Sequence, residues 1–90
     1  MLRIRYQSAF KHDFRRIAKR GKQLSRLERV IGLLAQGIAL PSGNHDHALL
    51  GDYPGCRECH IEGDWLLVYR VDTTEKELIL VRTGSHSDLY

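Results

Sequence analysis

Five side chains in the C-terminal half of the chain could together cut a phosphodiester: His47, His60, Asp64, Arg82 and His86. Cleavage of RNA without a metal needs three things. A base takes the proton from the 2′-hydroxyl, an acid protonates the leaving 5′-oxygen, and cations offset the charge that builds on the phosphorane. Histidine titrates near neutrality and can serve as either base or acid. Arginine meets phosphate oxygens with a planar fork of donors. An aromatic ring can hold an unstacked base, and Trp65 and Tyr90 are candidates for that contact. Each residue also has a plainer reading. His60 could be a surface histidine, Arg82 a partner for Glu58 or Glu62, Asp64 a turn residue, and His86 and Tyr90 a frayed tail.

The reading depends on which strands carry these residues and which way they face. Cys56 to Glu62, Trp65 to Val71 and Leu78 to Thr83 read as three strands. Between the first two, Gly63-Asp64 fits a type II′ turn, with glycine at the first central position. That turn predicts the pairs Glu62–Trp65, Ile61–Leu66, His60–Leu67 and Cys59–Val68. The next loop pairs Val71 with Lys76 or with Leu78, and both choices have the same parity. One face is then apolar: Cys59, Ile61, Leu66, Val68, Ile79 and Val81. The other carries Glu58, His60, Glu62, Trp65, Leu67, Tyr69 and Arg82 and is the candidate cleft.

Before the sheet, Leu2 to Tyr6 alternates as a short strand. Ser8 is placed to cap a helix in which Phe10, Phe14, Ile17 and Ala18 recur at helical spacing, and Gly21 ends it. A second helix over about Gln23 to Gln36 carries Leu24, Leu27, Ile31 and Leu34. Residues 42–55 form a loop holding His45 and His47, pinned by Leu49 and Leu50. The expected fold is α+β: an N-terminal strand and helix hairpin packed on one face of a small, mostly antiparallel four-stranded sheet, in a single domain over residues 1–90.

Charge is uneven. Residues 11–29 hold eight basic and two acidic residues, a net +6 in a chain whose total is +3. Such a block suggests an anionic partner, nucleic acid first, or else a solvated helix face. Two cysteines do not make a secreted framework, no apolar run of about 18 residues exists, and the first ten residues lack a signal core. A soluble cytoplasmic protein without a membrane role follows. A zinc reading competes, from Cys56-x-x-Cys59-His60 with His45 or His47. On a strand, however, the two cysteines point to opposite faces, and no metal or cofactor is called for.

The run Leu-x-Gly at 49–51, Gly55-x-Arg57-Glu58-x-His60-Ile61 and Asp64-Trp65-Leu66-Leu67-Val68-Tyr69 resembles the YafQ branch of the RelE-like toxins. So does the ending Arg82-Thr83-Gly84-Ser85-His86-x-x-Leu89-Tyr90. The resemblance implies a RelE-like fold and the toxin of a bacterial type II toxin–antitoxin pair, an endoribonuclease acting on mRNA at the ribosome. It implies His47, His60, Asp64, Arg82 and His86 as the catalytic set, with His86 as proton donor, Arg82 on the phosphate and Tyr90 positioning a base. The helix block Lys11, Arg15, Arg16, Lys19, Arg20 and Lys22 would contact ribosomal RNA. The implied partner is a small antitoxin of DinJ or RelB type, whose flexible segment wraps the toxin and which carries the pair to operator DNA. A gyrase-acting ParE-like toxin or an inactivated co-repressor on the same scaffold is the alternative. The histidine set has no reason to occur together in the former.

Overall fold

The computed structural model describes residues 1–90. A short strand, β1 (Arg3–Tyr6), leads into two helices, α1 (Ser8–Lys19) and α2 (Leu24–Ala35). A single 3₁₀ turn (Ser42–Asn44) precedes β2 (His47–Ala48), β3 (Arg57–Glu62), β4 (Trp65–Asp72), β5 (Glu77–Gly84) and a one-turn helix α3 (His86–Leu89). The five strands form one sheet in the order β1-β5-β4-β3-β2, so one strand more than expected. The extra one, β2, has two residues, too few to show a period, and it pairs His47 with Glu58. β1 lies parallel to β5, and every other pairing is antiparallel.

The apolar stripes of the helices behave as their spacing dictates. Phe10 and Ile17 of α1, with Leu27, Ile31 and Leu34 of α2, meet Cys59, Ile61, Trp65, Leu67, Tyr69, Leu78 and Leu80 of the sheet in one core. On the opposite face Cys56, Leu66, Val68 and Leu89 form a second, smaller cluster ringed by Leu49, Tyr53 and Val81. Leu49 thus pins its loop, whereas Leu50 is 94% exposed and does not. Ser8 is the first helical residue of α1 rather than its cap, a place taken by Gln7 without a side-chain hydrogen bond.

The expected register is wrong, and the cause is local. Gly63 has the positive φ (51°) that the first central position of a II′ turn requires, and Glu62 pairs with Trp65 as expected. Beyond the turn a bulge intervenes between His60 and Glu62, so His60 pairs with Leu66 and Cys59 with Leu67. One inserted residue reverses every side chain past it. Trp65, Leu67 and Tyr69 therefore face the helices, and Leu66 and Val68 face away. A second irregularity follows between β4 and β5. Val71 pairs with Leu78, the longer of the two expected loops, but Tyr69 pairs with Leu80 and Val68 with Arg82, leaving Val81 unpaired. His60 and Arg82 thus still share a face, together with Leu66 and Val68 rather than with Trp65 and Leu67.

Trp65 is accordingly no substrate contact. It is 3% exposed, and its indole donates to Thr83 Oγ1 at 2.9 Å. Trp65→Phe should cost about 1 to 3 kcal/mol of stability through the lost hydrogen bond and volume. Urea denaturation would measure that cost, and substrate KM should be unmoved.

Candidate active site

Four segments bring their functional side chains to one face of the sheet, the one turned away from the helix pair. The 3₁₀ turn and β2 supply His45 and His47, β3 supplies Glu58 and His60, and the β3–β4 turn supplies Asp64. The end of β5 with α3 supplies Arg82, His86 and Tyr90. The rings form a row: His45 to His60 at 5.4 Å between centroids, His60 to His86 at 6.3 Å, His86 to Tyr90 at 5.9 Å and Tyr90 to Tyr53 at 5.7 Å.

The three expected histidines are held alike. Nδ1 of His86 lies 2.6 Å from Asp64 Oδ1, Nδ1 of His60 lies 3.1 Å from the Gly63 carbonyl, and Nδ1 of His47 lies 2.6 Å from the His45 carbonyl. A carboxylate or carbonyl oxygen can only accept, so each Nδ1 carries the proton. Each Nε2 is then the nitrogen available for chemistry. That of His47 sits 3.5 Å from Glu58 Oε1. Asp64 also accepts from the His86 backbone N–H at 3.2 Å. These contacts, the side-chain hydrogen bond first, hold its carboxyl below the ordinary range, so it stays ionised.

A one-turn helix does not persist unaided, and α3 is fastened at its start. Ser85 and Asp88 form a capping box, with Asp88 Oδ2 accepting from the Ser85 N–H at 2.9 Å and Ser85 Oγ from the Asp88 N–H at 3.2 Å. Arg20, the residue that caps the end of α1, donates to both oxygens of Asp88, at 2.6 and 2.9 Å. Gly84 has to lack a side chain, since a Cβ there would stand 2.8 Å from Asp88 Oδ2. Arg20 and the Ser85 N–H hold the Asp88 carboxyl well below the usual carboxylate range. Its stabilisation is therefore complete above the unfolded value of about 3.9 and is lost as pH falls toward the lower folded one. Asp88→Asn should melt lower than the native protein at pH 7, and the gap between the two melting curves should close as pH drops below about 4.

Several residues of this face have no role assigned from the sequence. Glu58 is 4% exposed and lies between His47 Nε2 and the Tyr90 hydroxyl, which donates to its Oε2 at 2.5 Å. Burial and this carboxylate push the Tyr90 phenol up. The alternation of β3 already placed Glu58 and His60 on one face, which was the available signal. Asn44 donates to the His60 carbonyl at 2.7 Å, and His45 sits in a left-handed conformation (φ 48°) that aims its carbonyl at His47. Tyr53 donates to the Leu89 carbonyl at 3.0 Å and stands 3.5 Å from Arg82 Nη1. Nothing local in the sequence marks Asn44, His45 or Tyr53, because each acts through a contact distant along the chain or through its backbone.

Arg82 reaches the site but is not free. Its Nε and Nη2 donate to the two oxygens of Asp13 in α1, at 2.6 and 3.0 Å. The basic block also divides. Arg16 and Arg20 spend charge on Asp88, whereas Lys11, Arg15, Lys19 and Lys22 make no ion pair within the chain. Lys11 and Arg15 border a groove of about 350 Å³ with Tyr6, Phe10, Phe14, Glu28 and Ile31. Cys56 and Cys59 are both buried, in the two different clusters, and no three His, Cys, Asp or Glu side chains converge as metal ligands.

A helix pair on one face of a mostly antiparallel sheet is a RelE-like toxin fold, and here histidines and a C-terminal aromatic gather on the opposite face. The chain belongs to the YafQ family within that class: the family model described as the bacterial toxin of type II toxin–antitoxin system, YafQ, matches residues 2–90. It is 35% identical over 88 residues to the mRNA interferase toxin YafQ of Escherichia coli K12, covering 97% of this chain and 94% of that one. Among solved structures it is similar to the toxin in the E. coli DinJ–YafQ complex, at 33% identity and a TM-score of 0.90 over 100% of this chain and 99% of that one. It is also similar to a metal-bound toxin from Helicobacter pylori, at 41% identity and a TM-score of 0.94 over the whole of both chains.

Proposed function

We propose that this protein is the toxin of a type II toxin–antitoxin pair and that it cleaves mRNA on the ribosome by metal-independent acid–base chemistry. The observation that carries the reading is the shared setting of the three imidazoles, each with Nδ1–H tied down: Nε2 of His60 and His86 is left for the substrate, and that of His47 faces Glu58.

His60, whose Nε2 has no partner in the chain, takes the proton from the 2′-hydroxyl. The 2′-oxygen attacks phosphorus, and the bond to the 5′-oxygen breaks as His86 Nε2–H protonates that oxygen. The products are a 2′,3′-cyclic phosphate and a 5′-hydroxyl. Asp64 holds the His86 ring in the donating orientation and offsets its positive charge. His47, oriented by Glu58, lines the phosphate site, with Arg82 on the phosphate oxygens. Tyr90 supplies a face for the base, its hydroxyl fixed by Glu58.

The unpaired cations Lys11, Arg15, Lys19 and Lys22 give the helices a phosphate-binding surface suited to ribosomal RNA. The partner is a small antitoxin of DinJ or RelB type, which covers the toxin and carries the pair to operator DNA. No helix is long and apolar enough to cross a membrane, and the protein works in the cytoplasm, where its ribosomal substrate is. The test is tight, inducible expression with mapping of mRNA 5′ ends beside His86→Ala and Arg82→Ala. New ends that vanish in the variants support the reading. Growth arrest without new ends, or cleavage undiminished in both variants, overturns it.

A further inference from the structure

Asp13 stands out on α1. It is the only acidic residue of that helix, it is 1% exposed, and it points into the protein while the basic residues around it do not. Its two oxygens take three hydrogen bonds from the end of β5. Arg82 Nε and Nη2 donate at 2.6 and 3.0 Å, and the Thr83 backbone N–H donates at 3.1 Å. Arg16 Nη1 lies further off, at 3.9 Å.

A guanidinium carries five N–H donors in a rigid plane. Asp13 takes two of them as a fork, which fixes both the plane and its rotation. The Tyr53 hydroxyl, 3.5 Å from Nη1, faces a third. Two donors remain, both on the terminal nitrogens. The Tyr53 ring adjoins that of Tyr90 at 5.7 Å, so this end of the guanidinium lies at the Tyr53–Tyr90 end of the row of rings. The strand is fixed with the side chain, because Thr83 bonds to the same carboxylate.

We propose that Asp13 is the positioning residue for Arg82: from outside the site it selects which edge of the guanidinium meets the scissile phosphate. The proposal rests on the reading of Arg82 as the phosphate contact. It separates placement from charge. Asp13 offsets part of the positive charge of Arg82, so its own charge weakens the attraction for RNA while its geometry aids the chemical step. An Asp13→Asn variant should therefore cleave more slowly without binding its substrate less well. A merely structural residue would instead lower the folded fraction and leave the properties of the folded molecules alone.

The experiment is a double-mutant cycle of Asp13→Asn and Arg82→Ala, read as cleavage rate and KM on mRNA-programmed ribosomes, with thermal melts of each variant. Asp13→Asn is expected to lower kcat by about tenfold, since misplacement by 1 Å can cost about 10²-fold, with KM unchanged or reduced. In the Arg82→Ala background the same substitution should cost nothing further. Equal losses in both backgrounds, a raised KM with unchanged kcat, or full activity of Asp13→Asn would each overturn the proposal. Wild-type cleavage by Arg82→Ala would instead overturn the role given to Arg82 itself. If Asp13→Asn does not fold, the cycle is run with Asp13→Glu. That variant keeps the charge and displaces the fork, and it should show the same loss of kcat confined to the Arg82 background.

Discussion

His86→Ala is expected to slow mRNA cleavage by about 10²- to 10⁴-fold, the range that a positioned general acid supplies. The ring has one nitrogen committed to Asp64 at 2.6 Å and the other unengaged. On the proposed mechanism its removal takes away the proton for the leaving oxygen and leaves the rest of the site in place. Both side chains are well exposed, 58% for His86 and 62% for Asp64, so the melting curve should hardly move. Single-turnover cleavage on programmed ribosomes, with rates followed from pH 5 to 9, would measure the effect. The alkaline limb that reports the acid should vanish in the variant. Asp64→Asn should show a smaller loss, because an amide oxygen can still accept from Nδ1 but no longer offsets the charge of the ring. A variant lacking His86 that kept both its rate and its pH profile would remove this residue from the mechanism.

Arg82→Ala should cost about 10²- to 10³-fold in kcat, the scale of losing one pre-organised contact to developing charge. Unlike His86, Arg82 is built into the frame. Its loss leaves Asp13 buried with only the Thr83 N–H and a distant Arg16 for company, so a drop in stability should accompany the drop in rate. Arg82→Lys separates the two effects. It restores a charge near Asp13, but a point ammonium cannot grip the carboxylate and the phosphate in one plane, so it should regain stability more than rate. A Lys variant with near-native kcat would show that charge alone suffices. The measurements are paired denaturation curves and single-turnover rates for the two variants.

Much of this site could be read from residue types, and less of it from residue directions. The helices fell within a residue or so of their observed limits because Phe10, Ile17, Leu27, Ile31 and Leu34 keep helical spacing and Gly21 and Gly37 follow the two helices. The Gly63-Asp64 turn was legible because only a few residues tolerate positive φ at its first position. The bulge at Ile61 was not, since isoleucine there is an ordinary strand residue and nothing local announces an insertion. That bulge parts Trp65 from His60, and the slip in β5 parts it from Arg82. The tail was more readable than a frayed end suggests. Ser85 and Asp88 stand at the spacing of a capping box, a signal present in the sequence before any fold was known. Asp13 and Tyr53 could not be found this way. Their partners lie 69 and 29 residues off, and only the assembled sheet brings them together.

The two irregularities in the sheet act as a parity check. Whether His60 and Arg82 look the same way depends on the number of one-residue slips between them being even, and here it is two. Smoothing β3 alone would turn His60 toward the helices and leave Arg82 outside. Smoothing β5 alone would do the reverse. Smoothing both would reunite them, but facing the helices, with the apolar residues exchanged between layers. Each slip is therefore a suppressor of the other, in the sense that one frameshift suppresses a second. An engineer who tidied a single strand of this toxin into an ideal one would dismantle the proposed active site without touching one of its residues.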